Sequence, residues 1–258
     1  MTINTPFYPY RSRRRYKDGD NANSDHTWKV KSEAFGKCKS EKSPYLIANE
    51  WIAAEVAHFL RLPVPPCSLL RKKTTSTVMF ASQSFEGDTA PEDTDPSVLY
   101  EKHPLLCAGI VVFDILIGNR DRGFWNIHVD DPESPTVIRL FDHERALFYV
   151  YEDEGVAQLR SRQGRLGITQ SSVSNNSSHC LISLIDSHEN LSHWVHRVKV
   201  MPDSFIEAVC REVRLLAITD RECLAVIEFL KTRRDTIDDL ISNNHSRFPL
   251  VKKWPLFL

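Results

Sequence analysis

The residues with the clearest chemistry are Asp121 and Asn126, in the stretch IGNRDRGFWNIHVDD, and Asp142, in TVIRLFDHERALF. Phosphoryl transfer from ATP needs a carboxylate near the acceptor hydroxyl, a cation on the phosphates and two oxygen ligands for Mg2+. A loop reading Asp-x-x-x-x-Asn supplies the carboxylate from Asp121 and one ligand from Asn126, because that span lets the amide fold back beside the acid. Asp142 ends the apolar strand 137–141 and stands where the second ligand has to sit. Asn and Asp also serve ordinary turns. The ordered set, rather than any single acid, carries the chemical reading.

The elements that position these groups begin with the cation. It belongs on a strand of an N-terminal lobe, held by a glutamate on the helix that follows. WKVK, residues 28–31, alternates as a strand does, with Lys29 and Lys31 sharing one face. SPYLIANEWIAAEVAHFLRLPVPP then reads as a helix, with Ser43 as N-cap, Pro44 at the first helical position and Pro63, Pro65 and Pro66 ending the segment. Glu50 lies on this helix beside Ile47, Ala54 and Ala57, where a carboxylate is costly unless paired. Lys31 is its expected partner, with Lys29 and Glu55 as open alternatives.

Strands are expected at 67–70 and 77–80, with QSFEGDTAPEDTDPS as a linker closing a strand-rich lobe. Pro104 opens a helix running through Ile117, and its Asp114 is expected to hydrogen-bond the loop that follows rather than to react. The last hundred or so residues read as amphipathic helices, FIEAVCREVRLLA and ECLAVIEFLKTRRDTIDDLI, with a polar loop at SSVSNNSSH. His188, His193 and His196 do not share one helical face, so no zinc site is expected there.

At WKVK, LIANEWIAAEVAHFLRLPVPP, FDILIGNRDRGFWNIHV, IRLFDHERALF and FLKTRRDTIDDLI the chain resembles the HipA-like kinases, a branch of the protein-kinase-like superfamily whose catalytic loop is also similar to that of phosphoinositide kinases. The resemblance implies an α+β, two-lobed protein-kinase-like fold, with a small strand-rich lobe over residues 1–95 and a larger helical lobe over residues 96–258. It implies ATP between the lobes, Asp121 as catalytic base, Asn126 and Asp142 as Mg2+ ligands, Lys31 on the phosphates and Glu50 as its partner. Phe80, Ala81 and Ser82 would form the hinge that reads adenine. The acceptor would be a protein Ser/Thr hydroxyl, with a lipid head group or small molecule as the alternative, and a regulatory protein partner is compatible with the family. The sequence departs from the pattern in three places. Gly123 follows Asp121-Arg122 where His is frequent, Gly19 is the one glycine where a phosphate loop would lie, and Asp142-His143-Glu144 replaces Asp-Phe-Gly. The missing glycine loop motivates a second reading, a pseudokinase acting as a partner-binding module.

Composition bounds the rest. A formal net charge of -1 makes the whole molecule a poor ligand for nucleic acid, although Arg11, Arg13, Arg14 and Arg15 form a local basic cluster. Six scattered cysteines without a CxxC pair point to reduced thiols in a cytoplasmic setting. The longest apolar run, residues 105–117, carries Asp114 and falls short of the roughly 20 residues that span a bilayer.

Overall fold

The computed structural model describes residues 12–15, 28–72, 74–75, 77–84, 94–148, 154–168, 179–214 and 216–254, with the backbone alone at 12–15 and 28–30. Two short strands, β1 (Ser12–Arg15) and β2 (Trp28–Lys31), pair antiparallel as a hairpin. The loop expected between them lies outside the described residues, as do Arg11 and most of the linker and of the later polar loop. A three-stranded antiparallel sheet follows in the order β3-β5-β4, built from β3 (Ala34–Cys38), β4 (Cys67–Arg71) and β5 (Val78–Gln83).

Between β3 and β4 runs α1 (Leu46–Leu60). Its N-cap is Tyr45 without a side-chain bond, not Ser43, which pairs instead with Ser40 in an isolated bridge. Arg61 ends the helix in the left-handed region at φ 57, and the prolines beyond it prevent another helical turn. The N-terminal half of α1 touches the helical lobe. Asn49 donates to the carbonyls of Glu144 and Phe148 and accepts from the Phe148 amide, while Trp51 Nε1 donates to Glu212 at 3.0 Å.

The helical lobe starts with α2 (Pro96–Lys102) and α3 (Pro104–Ile117). From Leu106 to its end every residue of α3 is buried, as its unbroken apolar run requires. Gly118 stops it in the left-handed region at φ 61, a conformation glycine adopts without steric cost. The chain then forms the short antiparallel pair β6 (Ile127–Val129) and β7 (Ile138–Leu140). The helices α4 (Gly155–Arg162), α5 (His188–Lys199), α6 (Asp203–Arg214), α7 (Asp220–Asp235) and α8 (Ile237–Ser242) pack around α3 and α7. At the start of α7, Thr219 and Glu222 form a reciprocal capping box. Among the described residues no helix is long and apolar enough to cross a membrane.

Candidate active site

The strand β3 points Lys37 toward α1 and toward the segment after β7. Lys37 Nζ lies 2.5 Å from Glu50 Oε1 and 2.6 Å from Asp142 Oδ1, so one ammonium joins the two lobes. Glu50 is 2% exposed on the buried face of α1, and its other oxygen accepts from the His143 amide at 3.2 Å. Burial by itself would raise the Glu50 pKa. The His143 hydrogen bond and the Lys37 charge outweigh it and bring the value down to about 2. For Lys37, burial favours the neutral amine, yet the two carboxylates hold the pKa above the ordinary lysine value.

Here the expected pairing is corrected. Glu50 meets Lys37, while Lys31 lies on β2 with an exposed side chain, and Glu55 bonds elsewhere, to His58 and Cys67. The strand that carries Lys37 is the one the alternation signal missed. AFGKC is exposed at every position but Lys37, so it shows no apolar face, and Gly36 weakens its strand signature.

The hinge expectation is corrected too. Phe80 and Ala81 are buried in β5, the central strand, with Phe80 opposite Lys37 and Leu69 and with Ala81 opposite Gly36 and Ser68. Ser82 pairs with Phe35 and Cys67, and the next two amides donate to Pro66 and Glu33. Sheet bonds occupy both edges of the strand through these positions. Residues 85–93, just after this strand, lie outside the described residues.

The loop from Gly118 to Ile127 is held from beneath by one buried guanidinium. Arg122, 1% exposed, donates through Nε and Nη2 to Asp114 at 2.8 and 3.1 Å. Through Nη1 it donates to the carbonyls of Asn126 and Phe141, both at 3.1 Å. The same side chain therefore fixes the backbone at Asn126 and at the residue before Asp142. Asp114 also accepts from Asn119 Nδ2 at 2.9 Å and lies 3.0 Å from His179 Nε2. Burial opposes ionisation of Asp114, and the Arg122 charge overrides it, holding the carboxyl below the usual range. This is the loop-fixing role expected of it from the sequence.

On the upper side of the loop Asp121 remains partly exposed, with Arg145 Nε 3.4 Å from its Oδ2. Burial and the nearby Asp142 charge raise the Asp121 pKa against the opposing pull of Arg145 and Arg122. Asn126 Nδ2 donates to the Asp121 carbonyl at 2.5 Å, which assigns its amide oxygen to the other side, the atom a hard cation would take. Asp142 sits at φ 59, a left-handed conformation that Asp tolerates better than most residues and that often marks functional positions. It turns the carboxylate toward Lys37. Gly123 also finds its reason here. A Cβ at that position would come within 2.3–2.6 Å of the Trp125 indole, so the absent side chain is what lets the half-exposed ring lie against the loop.

The structure thus brings Glu50, Asp121, Asn126 and Asp142 to one region, with Lys37 in the place expected for Lys31. Arg122, Arg145 and His179 join through tertiary contacts that no local spacing announced.

No family model matches the chain, and the search of curated proteins finds no significant match. Among solved structures, the Helicobacter pylori proinflammatory kinase CtkA is similar over 83% of this chain and 90% of its own, at 14% identity and a TM-score of 0.56. HipA, from the Shewanella oneidensis toxin–antitoxin complex of HipA, HipB and operator DNA, matches 85% of this chain and 64% of its own, at 13% identity and a TM-score of 0.45. At such identity the likeness to CtkA is one of fold. The chain has the mixed α+β, kinase-like architecture that its resemblance to HipA-like kinases implies, with a strand-rich N-terminal lobe and a helical C-terminal lobe.

Proposed function

We propose that this protein is an ATP- and Mg2+-dependent phosphotransferase of the HipA-like kind, acting on an alcohol acceptor, with a Ser/Thr hydroxyl of a protein as the favoured class. The observation that carries this reading is the bridge from Lys37 to Glu50 and Asp142. A lysine on the third strand, paired with a glutamate of the following helix and placed beside a metal-binding aspartate, is the arrangement protein kinases need for phosphate binding. Its presence in closed form favours an active enzyme over a pseudokinase.

The donor chemistry fits the cofactor. Asp142 and Asn126 offer a carboxylate and an amide oxygen, the hard ligands that Mg2+ takes. Bound there, Mg2+ would neutralise charge on the ATP phosphates. Lys37 would keep its contact with Glu50 and direct its charge to the phosphates. Asp121 would orient the acceptor hydroxyl and accept its proton, and its raised pKa suits a base of that kind. Arg122 holds Asn126 and Phe141 in register, so the two metal-binding side chains keep a fixed spacing as substrates come and go.

The test is transfer of labelled γ-phosphate from Mg2+-ATP to the protein itself or to a panel of protein, lipid and small-molecule acceptors. Asp121→Asn should lower the rate by about 10²- to 10⁴-fold, the usual worth of a general base. Asp142→Asn should abolish Mg2+-dependent transfer, with circular dichroism unchanged in both. A wild type that neither binds Mg2+-ATP nor transfers phosphate would falsify the proposal.

A further inference from the structure

On the side of α1 that faces β4, three side chains of metal-binding type converge. Glu55 and His58 come from successive turns of α1, and Cys67 is the first residue of β4. Glu55 Oε1 lies 3.4 Å from His58 Nδ1 and 3.8 Å from Cys67 Sγ, and one ligand atom from each of the three falls within 4.8 Å of the others. Among the described residues no other group of His, Cys, Asp and Glu brings three ligand atoms this close. None of the three belongs to the phosphotransfer site.

We infer that Glu55, His58 and Cys67 form a zinc site that clamps α1 to β4. The donor set selects the ion. A thiolate with an imidazole and a carboxylate suits zinc, whereas Mg2+ and Ca2+ take oxygen alone. The spacing agrees with that choice. Bonds of about 2.0–2.3 Å in a tetrahedron place neighbouring donors about 3.3–3.6 Å apart. The Glu55–His58 separation of 3.4 Å matches such an edge and exceeds the ~2.9–3.0 Å of a relaxed N–H···O bond, and the Glu55–Cys67 separation of 3.8 Å lies just beyond one. The third edge, His58 to Cys67, is within 4.8 Å and would be closed by rotation of the His58 side chain, 35% exposed. That exposure leaves the fourth position open to water.

The ligands sit on regular elements, and the connection between them is stiff. Arg61 ends α1, and Pro63, Pro65 and Pro66 fill most of the path to Cys67. Zinc would close this short ring, with the Cys67 thiol proton released to solvent, and would tie to β4 the helix that carries Glu50. No cysteine pair is involved, so the site differs from a zinc knuckle.

The experiment uses the full chain, stripped with a chelator and titrated with zinc chloride and, separately, with cobalt chloride. The expected result is one zinc per chain, with affinity at least tenfold weaker in Cys67→Ser and in His58→Ala. Cobalt should give tetrahedral visible bands and a thiolate charge-transfer band that Cys67→Ser removes. Cys38→Ser, at an exposed cysteine elsewhere, should retain both. One equivalent of zinc should raise the melting temperature of the wild type and not that of Cys67→Ser. Unchanged zinc affinity in Cys67→Ser and His58→Ala, or a charge-transfer band that survives in Cys67→Ser, would overturn the assignment. Because Lys37, Asp121 and Asp142 stay untouched, either outcome leaves the phosphotransfer reading to its own test.

Discussion

Two lysines a short stretch of chain apart have opposite expected roles. Lys37 contacts Glu50 and Asp142, while Lys31 lies exposed on β2. Lys37→Met should therefore reduce phosphate transfer on the order of 10²- to 10³-fold, as loss of a preorganised charge in a reaction centre does. Lys31→Met should leave it unchanged, and steady-state kinetics of the pair would expose any error in the assignment. Beneath the loop, Asp114 balances the buried charge of Arg122. Asp114→Asn keeps the shape and removes the charge, and should cost about 3–5 kcal/mol in denaturant unfolding, because a buried cation is left uncompensated. The pH dependence has a definite sign. The folded Asp114 pKa lies below its unfolded value of about 3.9. Its contribution is thus complete above that value and is lost as pH falls toward the folded pKa. Wild type should lose more stability than Asp114→Asn on acidification from about pH 5 to pH 2.

Among the elements, α3 and α5 approach closely at Gly109, where one residue decides the fit. A Cβ on Gly109 would fall 2.3–2.7 Å from three atoms of the Trp194 indole. Trp194 cannot easily withdraw, since its Nε1 donates to the Leu105 carbonyl at 2.6 Å and Arg197 stacks on its ring at 4.8 Å. Gly109→Ala, a favourable change in most helices, should here destabilise by about 1–3 kcal/mol through overpacking, measurable by urea unfolding. The helix α3 was readable from the sequence because Pro104, a continuous apolar run and Gly118 mark its start, body and stop. The strand β3 was not. Its side chains face outward except at Lys37, so hydrophobic alternation carried no signal, and its place is set by the register with β5, where Lys37 opposes Phe80.

For the whole molecule, the Lys37–Asp142 contact ties the strand-rich lobe to the helical one, and α1 adds further ties through Asn49, Tyr45 and Trp51. A nucleotide seated against Lys37 and Asp142 would engage both lobes at once. Mg2+-ATP at about 100 times its Kd should stabilise the native state by about 2.7 kcal/mol. The shift should be visible by calorimetry in wild type and Asp121→Asn, and strongly reduced in Asp142→Asn. A protein that phosphorylates nothing but shows this shift would be a nucleotide-binding module rather than an enzyme.

The sequence by itself determined the ordered set Asp121, Asn126 and Asp142 and the helices that flank it, because these rest on local spacing and apolar periodicity, and its resemblance to HipA-like kinases implied the kinase-like class. Tertiary structure alone decided which lysine meets Glu50, why Gly123 must lack a side chain, and that Arg122, Asp114 and His179 share one buried network. Gly123 answers to the indole two residues on, whereas the other contacts include pairings across a long stretch of chain, Lys37 to Asp142 and Asp114 to His179. Strand register and close packing select such contacts, and neither leaves a periodic trace in the residues concerned.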